Sequence, residues 1–348
     1  MNIPLLSILI ASITTFVAIS LLRPFAISNN LVDQPNSRKL HDGSVPLIGG
    51  IAMFLGVIVS VLTSTIDLNQ FNYFLISSLI IVIVGVMDDH RDISVSIRIF
   101  FQVLVSIIII SLGEVLIESF GNLFGGGNII LNEWAYFITI IAIITGMNAV
   151  NMTDGIHGLA GGSSLITFLA ITFLAKDSVS QISVLISFLF CAVLPVFLIH
   201  NLCLGISSSK RIFMGDAGSL FIGLAIVWSL IDLSQGEDRA FAPVIVLWLF
   251  AIPLIEMVLA ILRRLVSGKS PFKPDLGHTH HILALLGIRK IYILLLVLLA
   301  SLVMAVVGVL GELYGVADRV MFFGFLLVFG IYIFLYRMSL RYILSNVK

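Results

Sequence analysis

A chain of 348 residues of which 59% are hydrophobic and only 11% charged stands well apart from soluble proteins, where about 25% of residues carry charge. With a mean hydropathy of +1.15 it reads as an integral membrane protein, which excludes a water-soluble fold. Its 19 basic and 19 acidic residues cancel, so no excess of positive charge points to a nucleic-acid partner.

Uncharged stretches recur in chain order at 2–22, 47–66, 71–87, 99–113, 134–153, 155–175, 178–209, 217–231, 240–255, 291–311 and 320–336. A helix needs about 20 apolar residues to cross the hydrocarbon, within a range of about 17–25. The stretches therefore predict an all-α, polytopic bundle of eleven transmembrane helices, the shorter ones completed by flanking polar residues. Continuous apolar runs, rather than alternating strands, exclude a closed barrel. The first stretch lacks a basic n-region and a cleavage site, and reads as a retained span rather than a signal peptide.

If the spans alternate, 16 of the 19 basic residues fall in one set of loops, leaving only Lys176, Arg239 and Arg319 in the other. This bias makes the first set cytoplasmic. The amino terminus is then periplasmic and the carboxyl terminus cytoplasmic, as an odd number of spans requires. Cys191 and Cys203 are the only cysteines, and their places in a span and a cytoplasmic loop argue against a disulfide. With no internal repeat, residues 1–348 read as one transmembrane domain.

Five polar segments land on the cytoplasmic side: 35–50, 87–94, 148–162, 210–220 and 263–283. They hold every His except His200. The outside loops read as simple solvated connections, with a small hairpin expected in 121–134. In the second segment Asp88 and Asp92 would share a face of a continuing helix. Three carboxylates there, with Asp89, repel each other and invite a divalent cation, most simply Mg²⁺. A solvated helix end with Arg91 pairing locally is the alternative. In the third, a helical reading lines Asn148, Asn151, Asp154 and His157 along one stripe, while its glycines serve either a flat ligand or helix packing. Asp216, in GDAGS, is either a helix N-cap or a ligand-facing carboxylate beside backbone that can approach closely. His278, His280 and His281 suggest zinc, but no Cys is near and imidazoles beside phosphates bind anions equally well. Glu256, inside a span about two turns before Arg263, is either functional or the structural partner of a cytoplasmic-end Arg.

RKLH…VPLIGG (38–50), DDHRD (88–92), NAVNMTDGIHGL (148–159), FMGDAGSL (213–220) and SPFKPDLGHTHH (270–281) together resemble the polyprenyl-phosphate N-acetylhexosamine-1-phosphate transferases. These enzymes move a sugar 1-phosphate from a UDP-sugar to a lipid phosphate and release UMP. The resemblance runs from about Asp33 to about Leu283 and implies the branch acting on undecaprenyl phosphate in the bacterial inner membrane, with the site on its cytoplasmic face. The His-x-His-His form of 278–281 is similar to enzymes using UDP-N-acetylglucosamine; another UDP-N-acetylhexosamine, or UDP-MurNAc-pentapeptide, is the alternative. His157 departs from the family's usual Asp or Asn, and Glu256 from its usual Asp.

The resemblance implies catalytic roles for Asp88, Asp89 and Asp216, with Asp88 deprotonating or orienting the lipid phosphate. It places Mg²⁺, with Mn²⁺ as a substitute, on Asp216 and Asn151. It assigns Lys39, Asn148, Asp154 and His157 to the nucleotide-sugar, and Arg264, His278, His280 and His281 to its phosphates. A homodimer is implied by analogy. The competing class is a secondary transporter for an anion, which would place its site near the midplane between internal repeats.

Overall fold

The computed structural model describes residues 5–33, 44–64, 71–270 and 277–346. Each of the eleven apolar stretches carries a helix. The thirteen helices of the described residues are, in chain order, α1 (Leu5–Ser28), α2 (Gly49–Leu62), α3 (Phe71–Arg91), α4 (Val95–Ser111), α5 (Trp134–Thr153), α6 (Leu159–Ala175), α7 (Gln181–Asn201), α8 (Gly215–Ser234), α9 (Ile245–Leu249), α10 (Ala251–Val266), α11 (Thr279–Leu285), α12 (Lys290–Leu313) and α13 (Asp318–Asn346). Seven of them, α1, α3, α5, α7, α8, α12 and α13, are long and apolar enough to cross a membrane. The protein is thus a multi-pass, all-helical membrane protein.

The ninth stretch is corrected. It is not one helix over 240–255 but a short α9, a break at Phe250, and α10 running on to Val266. Pro253 causes the break, because it has no N–H to give the Leu249 carbonyl and its ring crowds that oxygen. The carbonyl is satisfied instead by the Thr167 hydroxyl of α6 at 2.8 Å. The shift puts Glu256, Arg263 and Arg264 on one helix.

α8 is the axis of the bundle and almost wholly buried. It is packed by α2, α3, α5 and α7, with Phe221 and Trp228 meeting Phe54, Phe74 and Phe190. Gly85 of α3 lies directly on the Ala217 backbone, where a Cβ would collide. Such small-residue contacts bring membrane helices to close range. One turn beyond Gly85, the α3 carboxylates reach the start of α8.

A two-residue antiparallel pair, β1 (Val32–Asp33) and β2 (Val45–Pro46), precedes α2. Its continuation fixes the α8 entry: Phe213 N–H donates to the Pro46 carbonyl at 2.9 Å, and Gly49 N–H to the Phe213 carbonyl at 2.9 Å. At the opposite end, Ser119 and Ile130 form the expected hairpin. The loops there are more than solvated connections. Gln235 Oε1 accepts the N–H groups of Glu118 and Ser119, each at 3.0 Å. Asp318 accepts the Asn122 N–H, and Glu312 that of Ala242.

Candidate active site

The structure gathers the described parts of the five segments at one end of the bundle. Two helices end differently from expectation. α3 stops at Arg91, and Asp92 turns to φ +47° with its N–H on the Asp88 carbonyl at 2.9 Å. Asp88 and Asp92 therefore do not share a helical face. α5 stops at Thr153, so the four-residue stripe is broken. Asn148 and Asn151 lie on the helix, Asp154 caps it, and His157 sits in the turn before Gly158, with its ring 4.9 Å from that of Phe213.

Asp88, Asp89 and Asp216 fall into three distinct settings. Asp88, only 6% exposed, accepts Arg98 Nη1 at 2.6 Å. Asp89 takes the Asp216 N–H at 2.8 Å and the Ala217 N–H at 3.3 Å. It is thus the anion at the amino terminus of α8, supplied from another helix and favoured by the α8 dipole. The expectation that Asp216 might cap its own helix does not hold: it lies in the first turn, behind Met214, which makes no side-chain cap. Gly215 takes φ +71°, and a Cβ there would strike the Asp89 carboxylate. Asp216 itself is the open member, its side chain 34% exposed. It accepts the Asn151 amide at 2.6 Å and stands 3.8 Å from Arg98.

Arg98 was not legible as a site residue. It sits in the first turn of α4 behind the Ser94 cap, where a cation opposes the helix dipole. That inversion is the one signal the sequence carried. Its guanidinium lies between Asp88 and Asp216. Asn148 is one turn deeper than Asn151, donating to Gln102 Oε1 at 2.9 Å and to the Ile144 carbonyl at 2.8 Å.

The His segment closes the other side. The His278 and His280 rings are parallel with centroids 5.7 Å apart, and His280 lies 4.2 Å from His281. Burial, then the neighbouring His281 and His278, holds the His280 pKa down to about 3. The His280 side chain is buried. It packs on Gly155, where a Cβ would overlap its ring. Arg264 is also buried, and His281 is the more accessible imidazole. Among the described residues, no three His, Cys, Asp or Glu side chains converge as metal ligands, so nothing there supports zinc. Lys39 lies outside the described residues.

The Gly155–His280 contact joins the 148–158 turn to the His segment. Gly155→Ala must push the imidazole aside, and an overpacked contact of this kind costs about 1–3 kcal/mol. Turnover should fall about tenfold or more, and Gly155→Ala/His280→Ala should recover part of the loss in the same assay.

A cluster of carboxylates, a guanidinium and a helix amino terminus at one end of an apolar bundle defines a membrane enzyme built to handle phosphate groups. The model of glycosyl transferase family 4 matches residues 71–234. The undecaprenyl-phosphate alpha-N-acetylglucosaminyl 1-phosphate transferase of Yersinia pestis is 39% identical over 89% of this chain and 85% of its own length. Its counterpart in Escherichia coli (strain K12) is 37% identical over 89% and 84%, and that of Haemophilus influenzae 38% over 95% and 93%. The chain belongs to this glycosyl transferase family, among its sugar 1-phosphate transferases.

Proposed function

We propose that the protein transfers N-acetylglucosamine 1-phosphate from UDP-N-acetylglucosamine to undecaprenyl phosphate. The products are undecaprenyl-pyrophosphoryl-N-acetylglucosamine and UMP. The observation that carries this reading is the Asp88–Arg98–Asp216 cluster at the mouth of α8, in a chain matching these transferases along about nine-tenths of its length. A lipid phosphate oxygen attacks the β-phosphorus, the bond to the bridging oxygen breaks, and UMP leaves with the electron pair.

Both substrates are polyanions, so the site must hold negative charge without repelling it. Asp88, Asp89 and Asp216 face one guanidinium and one helix amino terminus, an excess of negative charge that suits a divalent ion with oxygen ligands. Asp216 would hold Mg²⁺, or Mn²⁺, with Asn151 through its amide oxygen. When bound, the ion stabilises the charge that develops on the leaving phosphate.

The protein's own groups do the rest. Asp89 fixes the α8 entry and so the direction of Asp216. Arg98, held by Asp88, presents positive charge beside the reacting phosphates. His278, His281 and Arg264 surround the pyrophosphate, while Asp154, His157 and the adjacent Phe213 ring contact the nucleotide.

In the membrane, eleven spans form a single catalytic domain with its amino terminus periplasmic. The active site faces the cytosol in the bacterial inner membrane, and a homodimer is the expected assembly.

The test is UMP release by purified protein with Mg²⁺ and undecaprenyl phosphate, across UDP-GlcNAc, UDP-GalNAc and UDP-MurNAc-pentapeptide. Lipid-dependent release with UDP-GlcNAc alone is expected. Release only with another sugar keeps the chemistry and reassigns the donor. A folded sample that releases UMP from none of them overturns the reading.

A further inference from the structure

Behind the His segment stands a set of polar contacts that the transfer reaction does not itself use. Glu256, on α10 and 8% exposed, accepts the Thr279 N–H at 3.2 Å through Oε2, which also stands 3.5 Å from His278 Nδ1. Its Oε1 accepts the Tyr332 hydroxyl of α13. The Tyr332 oxygen lies 2.7 Å from Thr279 Oγ1, so the threonine hydroxyl donates to tyrosine and tyrosine to the carboxylate. One turn on, the Tyr336 hydroxyl donates to the Gly277 carbonyl at 2.7 Å, and Arg263 of α10 donates to both. Of the two readings of Glu256, the pairing with an Arg is replaced by these contacts: Glu256 and Arg263 each bind a different part of the His segment.

Two physical facts give the arrangement meaning. α11 has seven residues, too few for an isolated helix to hold its own shape. A carboxylate buried in an apolar bundle is expensive, and this one points its oxygens at the α11 amino terminus and at His278. We propose that Glu256 and Tyr332 are positioning residues of the transfer site. Together they latch the first turn of α11 to α10 and α13, so that His278 and His281 meet the donor pyrophosphate at a fixed place. The proposal rests on the transferase reading above.

The experiment uses the full-length protein in detergent. Tyr332→Phe keeps the ring and removes the hydroxyl. It should raise the KM for UDP-GlcNAc about tenfold while kcat stays within about twofold, with the unfolding midpoint moving by less than about 3 °C. Glu256→Gln should lower kcat/KM about a hundredfold. In a His278→Ala background, Tyr332→Phe should cost less than about half its single-variant effect on a logarithmic scale, because the two act through one segment. Calorimetric affinity for UDP-GlcNAc should follow the same order. An unchanged KM in Tyr332→Phe, or fully additive losses accompanied by a lowered midpoint, overturns the latch. Wild-type protein that binds UDP-GlcNAc but releases no UMP overturns the transferase reading instead, and the latch is then judged on affinity alone.

Discussion

Asp216→Asn should reduce UMP release by at least about a thousandfold while leaving the protein folded. The substitution keeps the shape and retains an oxygen to accept the Asn151 amide, so the α5–α8 contact survives. It removes the charge of a carboxylate whose side chain is 34% exposed, against 6% for Asp88. On the proposed reading, a divalent ion held there needs a full anionic ligand. Raising Mg²⁺ about tenfold should recover little, since an amide oxygen is a weaker ligand than a carboxylate. UMP release at saturating lipid, beside a thermal melt in detergent, decides it. A loss below about tenfold with an unchanged melt would move the metal site away from Asp216. Asp89→Asn should behave differently: it weakens the anion at the α8 entry, and the melt should fall along with activity.

What the sequence disclosed and what it withheld divide along a physical line. The apolar stretches were legible because membrane burial demands long, uncharged runs, and each carries helix, the ninth broken in two. The clustering of polar segments at one end followed from alternation along the same runs. The helix ends were not legible: nothing local distinguishes Thr153 from Asp154 as the last residue of α5, and Asp92 reaches φ +47° without being glycine. The break at Phe250 had a visible cause in Pro253, but its position depended on Thr167, contributed by α6. Partnerships were hidden most completely. Asp89 caps a helix that begins 126 positions later, and Glu256 binds Tyr332 on the last helix. Contacts of that range leave no spacing to read. Only the misplaced positive charge of Arg98, at a helix amino terminus, hinted at a partner.

Asp88→Asn should lower turnover about a hundredfold and should not recover at pH 8. Two roles compete for Asp88. If it removes a proton from the lipid phosphate, its loss matters only while that proton is present. A phosphate monoester has a second pKa of about 6, so at pH 8 the nucleophile is already dianionic and the variant should regain most of its rate. If instead Asp88 holds Arg98, the loss is independent of pH. The geometry favours the second role. Asp88 is buried and engaged at 2.6 Å by a guanidinium that also faces Asp216. Removing one partner of a buried ion pair costs about 3–5 kcal/mol, enough to let Arg98 swing onto Asp216 and occupy the place of the cation. Arg98→Gln should therefore relieve part of the Asp88→Asn defect when the two are combined, since the stray guanidinium is gone. Rates from pH 6 to 9 for both singles and the double separate the roles: a pH-independent deficit with partial relief in the double assigns Asp88 to Arg98, and full recovery at pH 8 assigns it to the proton.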